Sequence, residues 1–250
     1  MTGLTFRRVF RSEWTKLLSL RSNWFLLVGV PVLLVGLAAL IGWNARAQES
    51  TPTQAVGGGF LLFGVLTGVL GLLTVTGEHG SGAIRATLIT VPRRLPVLWA
   101  KAAVLLAITT PVLVVAYVAA LLAHQAFADP AVRITLGDPG VVRAILGVAA
   151  ATVACGLIGL ATGTLLRSTA GAITTYVAVL VFLPQLLGGV LPVTVQESLL
   201  PYLPTWAMQA MFQVGDAGVL LVPGAGGLVV LGWVILLLGG AAAVLDRRDA

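Results

Sequence analysis

Apolar residues run without a charged residue through six stretches of the chain: 24–43, 55–76, 102–123, 144–166, 170–190 and 222–245. A hydrocarbon core of ~30 Å is crossed by about 20 residues of helix. Inside it no water can satisfy a backbone N–H or C=O, so each segment must close its own hydrogen bonds. The pattern predicts an all-α integral membrane protein with six transmembrane helices. The remaining residues come in short pieces, which leaves no room for a separate soluble domain.

Three of those pieces have patterns of their own. In residues 1–23, Phe6, Val9, Phe10, Trp14, Leu17 and Leu18 recur at three- and four-residue spacing, while Arg7, Arg8, Arg11, Glu13 and Lys16 take the other positions. This predicts an amphipathic helix lying in the membrane interface, with Phe6, Phe10, Trp14 and Leu17 toward lipid. Ser22 and Asn23 then break it from the six-span domain, residues 24–250. The connection 77–101 is the longest on its side. Ser81 is placed to cap a short helix, Ile84, Leu88 and Val91 give it one apolar face, and Pro92 stops it. The segment 191–221 is interrupted by Pro192, Pro201 and Pro204 yet carries Tyr202, Trp206, Met208, Met211 and Phe212. It is too broken to span and too apolar for a free loop, so short re-entrant helices before the last span are expected.

Glycines mark where spans approach one another. Gly64, Gly68 and Gly71 share nearly one face of the second span. The fourth span carries Gly147, Ala151, Cys155, Gly156, Gly159 and Gly163. Without a Cβ, helices pack closely there, and Gly64, Gly68, Gly159 and Gly163 are the expected contacts. Cys155 is the sole cysteine, so no intrachain disulfide forms.

Charge fixes an orientation. Of 250 residues, 58% are hydrophobic and 10% charged, against about 25% charged in soluble domains. With the N-terminus inside, twelve basic residues fall on the cytoplasmic side: Arg7, Arg8, Arg11, Lys16, Arg21, Arg85, Arg93, Arg94, Lys101, Arg167, Arg247 and Arg248. Three fall outside: Arg46, Arg133 and Arg143. Basic residues stay in the cytoplasm, so both termini are expected there, in a multi-pass protein of the cell membrane. The net charge of +6 is spread over these connections as topological charge, and no nucleic-acid partner is expected.

The chemistry on offer is sparse. The chain has two lysines, Lys16 and Lys101, and neither follows a glycine-rich phosphate loop, so the chain itself is expected to hydrolyse no nucleotide and to be no enzyme. No catalytic residue, metal ligand set or resident cofactor is read from it. The spans carry no ionisable side chain of the kind an ion-coupled carrier uses to bind and release its ion. Thr67, Thr74, Thr174, Thr175, Tyr176 and Gln185 are the polar candidates for lining a pathway. Glu78, where the second span ends, is placed to anchor the following loop by pairing with Arg85 or an arginine of the N-terminal helix.

One resemblance gathers these features. Glu78-x-x-x-Gly82-Ala83-Ile84-x-x-Thr87-Leu88, then Pro92-x-Arg94 and Lys101, resembles the loop between the second and third spans of type-2 ATP-binding-cassette (ABC) transporter permeases. Glu13-Trp14-Thr15-Lys16-Leu17 with Arg21-Ser22 before the first span is similar too, as is the six-span layout over the whole chain. The resemblance implies a separate ATPase subunit holding ATP and Mg, a second permease subunit in a homo- or heterodimer, and efflux from the cytoplasm. It implies that residues 82–88 form a coupling helix, with Glu78, Gly82, Ala83, Ile84, Arg85, Thr87 and Leu88 as the ATPase-coupling residues. A non-transporting regulatory or immunity partner of an ATPase is the alternative, and a secondary carrier the third. The substrate is not legible.

Overall fold

The computed structural model describes residues 5–44, 51–80, 95–130, 133–215 and 218–247, with the backbone alone described at 79 and 80. Among them every regular element is helical: α1 (Phe6–Ser19), α2 (Arg21–Asn44), α3 (Pro52–Gly57), α4 (Phe60–Gly80), α5 (Leu95–Phe127), α6 (Val141–Leu166), α7 (Thr169–Val177), a π-helical stretch (Ala178–Phe182), α8 (Leu183–Val190), α9 (Val193–Leu199), a 3-10 turn (Leu200–Tyr202), α10 (Pro204–Phe212) and α11 (Pro223–Arg247). Six stretches are long and apolar enough to cross a membrane: Arg21–Asn44, Pro52–Glu78, Leu95–Phe127, Val141–Leu166, Thr169–Val190 and Pro223–Arg247. This is the architecture of a multi-pass membrane protein.

The helix boundaries follow local chemistry. Thr51 and Gln54 form a reciprocal capping box: the Gln54 N–H donates to Thr51 Oγ1 at 3.3 Å, and the Thr51 N–H donates to Gln54 Oε1 at 3.2 Å. The second span is then notched at Gly59, whose φ of +80° suits a residue without a Cβ. Arg167 closes α6 with a left-handed φ of 53°, giving its N–H to the Gly163 carbonyl at 3.0 Å. Ser168 caps α7 directly afterwards, accepting from the Gly171 N–H at 3.3 Å. Two spans therefore reverse direction with almost no loop.

Helix α6 is the hub. It packs on α4, α5, α10 and α11, and 83% of its most apolar window is buried. The α4–α6 contact rests on the glycines. A Cβ on Gly159 would meet the Gly68 carbonyl, one on Gly71 the Gly156 carbonyl, and one on Gly163 the Leu72 carbonyl. Gly64 lies against Cys155 Sγ. Tyr176 of α7 fills the space over Gly68 and donates its hydroxyl to the Gly64 carbonyl at 3.0 Å. On the other flank α2 packs along α5, where Gly42 sits on the backbone of His124.

The end of the bundle away from α1 is closed by α10. Pro204, Thr205, Ala207, Met208, Ala210 and Phe212 are buried, and the Phe212 ring lies tilted against Phe60 with 5.1 Å between centroids. Arg143 donates to the last carbonyls of this region, Met211 at 3.0 Å and Gln213. The residue counted as an outer topological charge thus also satisfies orphan helix carbonyls.

Candidate functional site

The strongest concentration of chemistry is at the end of the bundle that carries α1. Four charged side chains from three elements meet there: Glu13 and Lys16 of α1, Glu78 of α4 and Lys101 of α5. Lys101 Nζ lies 2.6 Å from Glu13 Oε2 and 2.8 Å from Glu78 Oε1, and it also donates to the Thr74 carbonyl at 2.9 Å. Those three partners use all three of its N–H groups. Lys16 Nζ lies 2.7 Å from Glu13 Oε1 and 3.1 Å from Glu78 Oε1. Two cations and two anions alternate, so the cluster is neutral.

Burial grades across it. Glu13 and Lys101 are 4% and 7% exposed, Glu78 15%, and Lys16 37%. Burial by itself pushes the Lys16 ammonium down, but the hydrogen bond and charge of Glu13, joined by Glu78, outweigh it and hold its pKa above the ordinary 10.5.

The chain presents these groups through a fixed elbow. The last carbonyls of α1 have no partner within the helix. Ser19 Oγ donates to the Lys16 carbonyl at 3.0 Å, Asn23 Nδ2 to Leu17 at 2.9 Å, and Trp24 Nε1 to Leu18 at 2.7 Å. The chain breaks at Leu20 rather than at Ser22 and Asn23, which already belong to α2, and these bonds make the break a corner that sets the angle at which α1 lies against α5. A half-open cleft of about 400 Å³ runs beside the cluster between α1, α2, α4 and α5.

The predicted residues fall out as follows. Glu78 does pair with the N-terminal helix, but with Lys16 rather than an arginine, and with Lys101. Glu13 corrects the sequence reading. Assigned to the polar face, it is buried in one stripe with Val9 and Leu17, because Lys101 neutralises it there. The apolar set of α1 divides: Leu17 is buried against the bundle, Phe6 and Trp14 are exposed, and Phe10 lies 5.9 Å from Trp14 at the edge between them. Gly82, Ala83, Ile84, Arg85, Thr87 and Leu88 lie outside the described residues. Gly64, Gly68, Gly159 and Gly163 all stand at the α4–α6 contact. Of the pathway candidates, Thr67 and Tyr176 are buried and Thr74 bonds the Gly71 carbonyl at 2.6 Å. Thr174, Thr175 and Gln185 are exposed on α7 and α8. Among the described residues no cluster of His, Cys, Asp or Glu is arranged to hold a metal.

No protein-family model matches the chain, and no curated protein matches it.

Sequence reasoning missed the Glu13–Lys101 pair. The signal was present. Glu13 interrupts the stripe Val9–Leu17 at its centre, and Lys101 directly adjoins the apolar span 102–123. Each would be costly to bury alone, and together they are paired.

Proposed function

We propose that the chain is the membrane subunit of an ABC exporter, with both termini cytoplasmic and a separate ATPase subunit supplying ATP hydrolysis. The observation that supports this most is the buried cluster. It ties α1 to the end of α4 and the start of α5, the two helices that flank the segment read as the coupling element. A force applied to that segment by a partner would reach α1, α4 and α5 together, because Lys101 binds carboxylates from both other helices. Packed helix pairs then rock as units between inward- and outward-open arrangements.

The pairing also weighs against an ion-coupled carrier. The four charges are mutually neutralised at helix ends rather than held singly at the middle of a span. In this reading the exposed faces of α2, α7, α8 and α11 meet lipid and a second permease subunit. Thr174, Thr175 and Gln185 are then the polar groups offered to cargo.

The test is purification in mild detergent from the native membrane. A subunit with ATPase activity should accompany the chain, and export should depend on ATP. Changing Ile84 and Leu88 together to Asp should release that subunit and abolish export while leaving the yield of folded chain intact. Each apolar side chain contributes roughly 1.5–3 kcal/mol when buried, so the pair carries several kcal/mol of docking. Full export by the double variant with its ATPase still attached would refute the coupling assignment.

A further inference from the structure

We infer that the cleft beside the charge cluster binds a phospholipid with a zwitterionic phosphoethanolamine headgroup. Its volume of about 400 Å³ lies in the range of ligand sites, which run to ~300–1,000 Å³ and combine apolar walls with a few convergent polar groups. The walls are graded by depth. On α4, Leu73 and Thr74 lie a turn deeper than Gly77 and Glu78, and on α5 Val104 lies about a turn deeper than Lys101. The more exposed lining residues Lys16, Ser19 and Ser22 stand at the α1–α2 elbow and form the mouth. An amphiphile is the ligand whose own polarity follows that gradient, with its chain against Leu17, Leu73 and Val104 and its headgroup at the mouth.

Charge selects the headgroup. The Lys16–Glu78 contact is the longest of the four, at 3.1 Å, and joins the two most exposed members. It is the contact a headgroup exchanges most easily for its own. The phosphate meets the Lys16 ammonium and the Ser22 hydroxyl at the start of α2. The primary ammonium donates to Glu78. A headgroup with net negative charge would bring an extra anion toward Glu13 and Glu78 while Lys101 is fully committed. A quaternary ammonium has no N–H to donate. The inference is independent of any ATPase, since it uses only this cleft and the bilayer beside it.

The test titrates purified full-length protein with dihexanoyl-phosphatidylethanolamine, and separately with the phosphatidylglycerol and phosphatidylcholine analogues, reading the melting temperature. The ethanolamine lipid should give a saturable rise at concentrations at least tenfold lower than the other two. Gly77→Leu fills the cleft, and a Cβ there meets nothing within 4 Å, so the fold should hold while the response weakens at least tenfold. Leu20→Trp, at an exposed position on the rim, should act likewise. Free phosphoethanolamine should have no effect at the same concentrations. Equal response to phosphatidylglycerol would overturn the headgroup assignment. An undiminished response in both cleft-filling variants would overturn the site, and equal potency of free phosphoethanolamine would overturn the bilayer as source.

Discussion

At the scale of single residues, Lys101 holds the most. Removing one partner of a buried ion pair strands the other, at a cost of about 3–5 kcal/mol. In Lys101→Met, Glu13 would keep Lys16 alone, and Glu78 would lose its shorter contact. The expected outcome is a lower melting temperature and release of α1, read as faster proteolysis or labelling of residues near Val9. Replacing Glu13, Glu78 and Lys101 together by Gln, Gln and Met should recover part of the loss, because no charge is then left buried unpaired. Lys16 acts differently, being partly exposed with a raised pKa. A group whose folded pKa is raised contributes fully below its unfolded value and loses that contribution as pH rises through the folded one. The attachment of α1 should therefore be flat with pH from neutral to about 10 and weaken only above the ordinary lysine value of 10.5. Labelling of α1 against pH would check this, and Lys16→Arg should extend the plateau.

At the scale of elements, two contacts show what fixes the packing of the helices. Pro184 has no N–H to return to the Leu180 carbonyl four residues earlier, and the helix passes through a π-helical stretch there. Thr205 of α10 supplies the missing donor, with Oγ1 at 2.7 Å from Leu180 O. Thr205→Val should cost ~1–3 kcal/mol by leaving a buried carbonyl unpaired. Thr205→Val with Pro184→Ala should cost less than the two changes summed, which a double-mutant cycle in melting temperature would measure. The α4–α6 contact makes the companion case. Gly159→Val would drive a side chain into the Gly68 carbonyl, for an overpacking loss of about 1–3 kcal/mol or more, whereas Gly232→Ala on α11, where a Cβ meets nothing, should be neutral.

These elements also mark how far the sequence could be read. Period and length were enough for the six spans, because the bilayer imposes its thickness on composition. The close helix contact was legible for a similar reason: Gly64, Gly68, Gly159 and Gly163 leave gaps that only another helix fills. Partner choice was not legible. Nothing local to Glu13 says that Lys101, 88 positions away, will neutralise it. Its charge alone therefore put it on the polar face. The elbow at Asn23 and the Thr205 bridge have the same character, since a side-chain bond to a distant carbonyl leaves no periodic trace.

At the scale of the whole molecule, the question is which end faces the cytoplasm. Six crossings put α1, the ends of α4, α6 and α11, and the start of α5 at one end, and the α3, α9 and α10 cap at the other. The first end collects Arg7, Arg8, Arg11, Lys16, Arg21, Lys101, Arg167 and Arg247, while the described cations at the other are Arg133 and Arg143. Cations are retained where the chain is inserted from, so the α1 end should be cytoplasmic. Arg143 is moreover committed to two carbonyls of the cap, so it is no free orientation signal. Cysteine labelling decides the matter cleanly, because the native Cys155 is buried and gives little background. In sealed cells, an impermeant thiol reagent should modify Glu197→Cys and Gly137→Cys, both exposed at the cap end. Arg94→Cys and Thr15→Cys should react only after the membrane is opened. Labelling of Thr15→Cys from outside, with Glu197→Cys protected, would invert the molecule. The basic end would then face away from any cytoplasmic ATPase, and the export proposal would fail with it.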